Sequence, residues 1–252
     1  MSRAIHNVKT ASVLISLTVF AGCGGQVSTP INKFPPAVNY SFITPAAGSQ
    51  STYTDTIVDN TSPAPNTLTR TLIETITAVN SGGVFTASWS DPSMSTTFFG
   101  SVDQSFYPTV VNYNNVGQSL NYVVTPYSGS PDSCTATPHL GEPPSPLTQA
   151  QNWTSSYTLT CSSDAPVSYS QVGQFQDMEQ LVVPAGTFNS YRFTSVITYT
   201  DAGLPTTRFV TTWVNATSTD SRVLQETVNY LYNGTAPQGS TMSETTSLVS
   251  YQ

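Results

Sequence analysis

The chain has 252 residues, of which only 8% are charged, against about a quarter in an average globular protein. Its 14 Asp+Glu over 7 Lys+Arg give a formal net charge of −7, which excludes a nucleic-acid partner, because that requires clustered Lys and Arg to release counterions. A hydrophobic content of 38% and an aromatic content of 11% supply a core and exclude wholesale disorder, with Thr, Ser, Asn and Gln filling the polar positions.

Residues 1–10 carry Arg3 and Lys9 and no acid, and residues 11–20 are a short apolar run interrupted by Ser12, Ser16 and Thr18. Such a run suits the core of a secretory signal, about 7–15 residues, and falls short of the roughly 20 needed to span a bilayer. It ends in Phe20-Ala21-Gly22-Cys23. This phrase resembles the lipobox of bacterial lipoproteins, with Phe20 where Leu is usual. The resemblance implies that residues 1–22 are a signal peptide that is removed, and that Cys23 becomes the acylated (palmitate-bearing) amino terminus. An ordinary signal peptide cut near Ala21 or Gly22 is the alternative reading. Gly24, where a retention signal would have Asp, implies by the same resemblance sorting to the outer membrane. After cleavage only Lys33, Arg70, Arg192, Arg208 and Arg222 remain as cations. No polybasic patch is left, so the acyl chains must hold the bilayer, and two suffice for stable attachment.

Residues 23–38 are rich in Gly, Pro and polar side chains without a period, and read as a flexible tether. The β domain is expected over residues 39–252, either as one unit or as two β halves, about 39–124 and 151–252, joined by a Pro-rich loop at 125–150. Tyr53, Asp55 and Ile57 alternate with Thr52, Thr54, Thr56 and Val58. Residues 67–79 place Leu68, Leu72, Ile76 and Ala78 on one face; Arg70 and Glu74 share that parity, so one end of the face is expected to reach solvent. Residues 84–90 and 120–124 are further short strands. Residues 125–147 hold six prolines and are read as a loop without regular structure.

With Cys23 assigned to lipid, Cys134 and Cys161 form an even pair, and in an oxidising periplasm a disulfide is the default reading. A loop of that length closed by a disulfide gains roughly 3–4 kcal/mol in the chain-entropy model. Zinc ligation by Cys134 and His139 is the alternative, but the spacing is loose and no second Cys-x-x-Cys supports it. No metal or cofactor is expected. The bond would pin the Pro-rich loop to a strand at 153–160; residues 148–155 hold one helical turn at most.

The second half has the clearer period. Over 188–200, Tyr191, Phe193, Ile197 and Tyr199 face one way and Ser190, Arg192, Thr194 and Thr198 the other, as in an antiparallel strand with one wet face. Residues 206–215, 222–232 and 241–251 repeat the style at meander spacing. In Val182-Val183-Pro184-Ala185-Gly186-Thr187-Phe188, Pro184 presets the turn and Gly186 takes a left-handed conformation, which predicts a three-residue hairpin loop with a bulge. This phrase resembles the V-P-A-G-T-F hairpin of bacterial envelope lipoproteins of unknown function, followed in both by an aromatic-Arg step (Tyr191-Arg192), a Trp position (Trp213) and a Val-x-x-Glu step (Val223 to Glu226). Asp220-Ser221-Arg222 stands where those proteins commonly have a Gly-containing turn. The resemblance covers about residues 150–232 and implies antiparallel strands curled into a half-barrel. The fold expected for the whole is all-β: one or more antiparallel sheets in a curved half-barrel or open barrel, with one long Pro-rich loop.

Chemistry is sparse. His139 is the only histidine after residue 22 and sits among prolines, a poor place to hold an imidazole for Ser-His or Cys-His catalysis. Asp177 and Glu179 share a face if extended, and so offer a glycosidase pair; Asp55 and Asp59 are less tidy. Asn152, Asn215 and Asn233 head Asn-x-Thr triplets that mean little in a bacterial chain. Trp89, Trp153 and Trp213 lie on strands and are the candidate ligand-binding side chains, with core packing as the competing role. The function expected is therefore a membrane-anchored envelope lipoprotein with a non-catalytic binding or scaffolding β domain. It would contact the bilayer through Cys23 and an envelope protein through its Thr-rich surface or an edge strand. The alternatives are a carrier of a lipid or other hydrophobic ligand, and a glycan-binding or carbohydrate-active protein.

Overall fold

The computed structural model describes residues 43–60, 66–81, 85–90, 92, 107–113, 120–125, 132–138, 146–162, 164–201, 203–217, 219–232 and 241–252. The signal peptide, Cys23, the tether, His139, Asn233 and most of the Pro-rich segment lie outside the described residues. Twelve strands follow in order: β1 (Gln50–Asp59), β2 (Asn66–Val79), β3 (Phe85–Ser90), β4 (Tyr107–Tyr113), β5 (Leu120–Thr125), β6 (Asp132–Thr137), β7 (Asn152–Cys161), β8 (Val167–Val183), β9 (Gly186–Asp201), β10 (Leu204–Asn215), β11 (Val223–Tyr232) and β12 (Thr241–Tyr251). No helix among the described residues is long and apolar enough to cross a membrane.

Every strand pairs antiparallel with its neighbours in sequence, and β1 also pairs with β12. The antiparallel all-β sheet expected from the sequence is thus found, and its curvature runs on until the ring closes. Main-chain bonds between Gln50 and Gln252, 3.0 Å in each direction, extend that last pairing. Closure gives every described strand a partner on each side, although the pairing does not run the full length of every strand.

Period-two burial explains why these residues form this ring. Along β1, Tyr53, Asp55, Ile57 and Asp59 are buried while Thr52, Thr54, Thr56 and Val58 are only half-buried. Tyr157, Leu159 and Cys161 of β7, Tyr169 of β8, Ile197 and Tyr199 of β9, Val210 of β10, and Val228 and Tyr230 of β11 pack into one core. Thr158, Thr160, Ser168, Ser170, Thr198 and Thr200 occupy the alternate positions and are exposed or half-buried. A membrane-spanning barrel has the reverse arrangement, with apolar side chains outward toward lipid.

Several expectations need correction. The stretch 125–147 is not without regular structure, because β6 lies inside it. Its prolines bracket the six-residue strand at Pro131 and Pro138 and do not interrupt it, so β6 hydrogen-bonds to β5 and β7. Cys134 and Cys161 stand directly opposite in the β6·β7 register and form the expected disulfide. In β2, the register shifts between Ile76 and Ala78, which turns Ala78 out to solvent. Arg70 does not lead the face to solvent either. It points inward to the fully buried Asp55, because β1 pairs Asp55 directly with Arg70. The hairpin loop of β8 and β9 has two residues, not three, since Val183 pairs with Gly186 and leaves only Pro184 and Ala185 to turn the chain. Gly186 has φ +140°, a region that side-chain-bearing residues rarely adopt, so the expected role of its glycine stands.

The β8–β9 hairpin changes its buried face along its length. Phe175 pairs with Phe193, but Asp177 pairs with Arg192, so Gln176 is an extra residue that bulges β8. Below the bulge the odd residues of β9 are buried: Phe193, Ser195, Ile197 and Tyr199. Beyond it Ser190 is buried and Phe188 half-buried, whereas Asn189 and Thr187 are exposed. The predicted alternation therefore holds for 191–199 and inverts nearer the turn. β10 ends at Asn215, opposite Ser190, so the hairpin outruns the ring. Its tip folds onto β12, three strands away around the ring, where the Ala185 N–H donates to the Leu248 carbonyl at 3.1 Å. Leu181, Val183, Ala185 and Phe188 pack there with Tyr53, Leu72, Leu224 and Leu248.

Candidate functional site

The inward positions carry more than apolar packing. The register sets Tyr157, Tyr169 and Tyr199 opposite one another on β7, β8 and β9. Their rings stack at centroid distances of 4.6 Å for each successive pair. Arg208 of β10 is buried beside this stack. Its Nε and Nη2 donate to the Tyr199 hydroxyl at 3.1 and 2.8 Å, and its guanidinium lies 4.7 Å from the Tyr199 ring centre and 5.1 Å from that of Tyr230. Desolvated guanidinium–ring contacts of this kind contribute about 2 kcal/mol.

Tyr230 carries the chain of contacts onward. Its hydroxyl donates to Glu244 Oε2 at 3.1 Å. Glu244 Oε1 lies 3.6 Å from Arg70 Nη2, and Arg70 Nε donates to Asp55 Oδ2 at 2.6 Å. Thr246 Oγ1 donates to Asp55 Oδ1 at 3.0 Å. A belt of tyrosines, arginines and carboxyls thus crosses the inward face from β7 to β2. Burial pushes the Tyr157 phenol up, Arg208 opposing. Burial raises Asp55 above the usual carboxylate range despite Arg70, and burial together with Asp55 pushes Glu244 up to about 8. Loss of hydration also lifts Glu74 to about 7, with Arg222 opposing. Arg208 and Glu244 belong to no motif in the sequence. A charged residue at an apolar parity is the only signal present, and it appears at Arg70, Arg208 and Glu244 alike.

A second polar cluster sits at the inverted end of the hairpin. The Trp213 indole N–H donates to Glu179 Oε1, and Arg192 Nη1 lies 3.5 Å from Glu179 Oε2. Ser190 Oγ donates to the Glu179 carbonyl at 3.0 Å, and Asp177 Oδ1 accepts the Met178 N–H at 2.8 Å. The structure therefore brings Glu179 and Trp213 together, but Glu179 is buried and held by two partners. Trp89 stacks on Tyr53 at 5.8 Å and packs, like Trp213, against the cluster that receives the hairpin tip. Trp153 packs elsewhere, edge-on to Phe193 and over Gly173, where a Cβ would sit 2.3 Å from its indole. The three tryptophans are half-buried and form no common exposed row.

The Asp220 turn shows how this chain dispenses with glycine there. Asp220 Oδ1 accepts the Arg222 N–H at 2.9 Å and Oδ2 accepts Arg222 Nε at 2.7 Å and Asn215 Nδ2 at 3.0 Å. Side-chain bonds to the backbone stabilise the turn directly. No group of three or more His, Cys, Asp or Glu that could hold a metal ion occurs among the described residues.

Two solved structures are similar to this chain. One is a nominal exported protein with a YmcC-like fold from Bacteroides fragilis, 10% identical, covering 85% of this chain and 99% of its own, with a TM-score of 0.49. The other is a nominal lipoprotein from Parabacteroides distasonis, 9% identical, with the same coverages and a TM-score of 0.45. No protein-family model and no curated protein matches the sequence.

Proposed function

We propose that the chain is a lipid-anchored protein of the bacterial envelope, held in the outer membrane through acylated Cys23, whose β domain binds or scaffolds a partner on its outer surface and does no chemistry. The lipobox-like phrase at residues 20–23 supports the anchor. One observation carries the rest: among the described residues, the inward face from β7 round to β2 is crossed by the protein's own side chains, joined from Tyr157 to Asp55 in a single belt. A hydrophobe carrier needs a continuous apolar interior, and Arg208, Glu244 and Arg70 interrupt it. A sugar site needs exposed aromatic rings beside accessible carboxyls, and the Glu179–Trp213 pair is engaged with itself.

Native and intact-mass spectrometry of the protein, extracted gently from its own membranes, tests this reading. The expected result is a chain starting at acylated Cys23, with the Cys134–Cys161 bond closed and no small-molecule adduct. In-cell cross-linking should then trap a neighbouring envelope protein. A lipid or glycan that co-purifies in stoichiometric amount overturns the scaffold reading in favour of a carrier or sugar binder. An unacylated terminus overturns the anchor.

A further inference from the structure

The pairing of β1 with β12 is the seam that completes the ring, and two carboxyl groups meet across it. Asp55 on β1 is fully buried, with Oδ2 at 2.6 Å from Arg70 Nε and Oδ1 at 3.0 Å from Thr246 Oγ1. Glu244 on β12 reaches the same guanidinium at 3.6 Å through Oε1, while its Oε2 accepts the Tyr230 hydroxyl at 3.1 Å. The other charged and titratable groups presented inward here are Asp59 from β1, Glu226 and Tyr230 from β11, and Arg208 from β10. Two carboxylates converge on one guanidinium where little water can screen them. Like charges in such a site cannot both ionise without large cost.

We propose that Asp55 and Glu244 hold one proton between them, and that its loss loosens the seam between β1 and β12. The shared proton keeps one group neutral, so that Arg70 balances the other. When it leaves, two anions repel across the last pairing of the ring. The raised ranges of both groups agree with this geometry, Glu244 titrating at about 8. A carboxyl raised in the folded state lends stability that is complete below its ordinary range and is lost as pH rises through its folded value. The seam is therefore strongest in acid, weakens as the pH climbs from the ordinary carboxylate range toward about 8, and loses nothing further from this proton beyond it.

Thermal and denaturant unfolding of the full chain between about pH 6 and pH 9.5 tests the proposal. The expected result is a folding constant that still falls by about tenfold per pH unit between about pH 7 and pH 8 and levels off above that, because up to about pH 8 the folded chain holds a proton that the unfolded chain has released. Glu244→Gln, a neutral mimic that still accepts from Tyr230, should flatten that dependence. Glu74→Gln should remove only the additional slope below about pH 7 and leave the fall between about pH 7 and pH 8. A fall between about pH 7 and pH 8 that persists in the Glu244→Gln protein, or is missing in the unmodified one, overturns the proposal. Infrared spectroscopy supplies a reading that requires no folded variant. The carbonyl stretch of a protonated acid should be present at about pH 7.5 and vanish through about pH 8 to 9, and its absence at about pH 7.5 likewise overturns the proposal.

Discussion

The lower and upper parts of the β8–β9 hairpin are the same two strands with opposite faces buried. In the lower part, Tyr169, Phe175, Phe193 and Tyr199 point into the ring, and the neighbouring strands cover them on both sides. Beyond the bulge at Gln176 the hairpin no longer has β7 alongside it and keeps β10 only as far as Ser190, and Glu179, Val183 and Ser190 on the other face become the buried ones. One inserted residue converts a wall of the barrel into a strap across it. The lower part is held by ring contacts on every side. The upper part is held by one apolar cluster, the end of the β10 pairing, main-chain bonds to Leu248 and Ala216, and the contacts of Glu179 with Trp213 and Arg192. The two should therefore respond very differently to the loss of a side chain.

The largest effect is expected from Phe175→Ala, which empties a fully buried site in the lower part. It should cost about 3–5 kcal/mol in urea unfolding, while Val183→Ala in the strap should cost only about 1–2. If the two cost the same, the strap is as integral as the wall. Gly173→Ala comes next. Its methyl would collide with the Trp153 indole, at a cost of about 1–3 kcal/mol, and Trp153→Leu in the same chain should recover most of it in a double-mutant cycle. Trp213→Phe should be smaller, about 1–2 kcal/mol, because Glu179 Oε1 loses its donor while Oε2 keeps Arg192. It should also raise proteolysis at exposed Val182 and Pro184 without changing cleavage in the lower part. Thr198→Ala, on the outer face of the lower part, should fall within about 0.5 kcal/mol of zero and serves as the baseline.

What the sequence made legible follows from how local the signal is. β9 was readable because Tyr191, Phe193, Ile197 and Tyr199 alternate with Arg192, Thr194, Thr198 and Thr200, and β10 to β12 because segments of ten residues or more rich in β-branched and aromatic residues recur at meander spacing. β8 was harder: Gly173 and the polar run of Gln171, Gln174 and Gln176 hide its inward residues, and the bulge shifts the parity midway. β4 and β6 were missed because Pro108 and the flanking prolines mark both segments as loops, although neither strand is interrupted in a way that prevents its pairing. The disulfide was readable by counting. The belt was not, because its contacts join residues far apart in the chain; Thr246 and Asp55 are 191 residues apart. Parity alone marked Arg70 as unusual, and only the ring explains where it points.

The seam between β1 and β12 also sets an order of events in biosynthesis. β1 is made early and finds β2 at once, but its other edge waits for β12. At about 5–20 residues per second, that interval is roughly 10–40 s of exposed, unpaired backbone. The same closure that covers the outer edge of β1 in the finished ring therefore leaves it open in the nascent chain until nearly the last strand has emerged. A holding chaperone that shields the outer edge of β1 during this wait would raise the yield of folded protein, and would have nothing left to bind once the ring is complete.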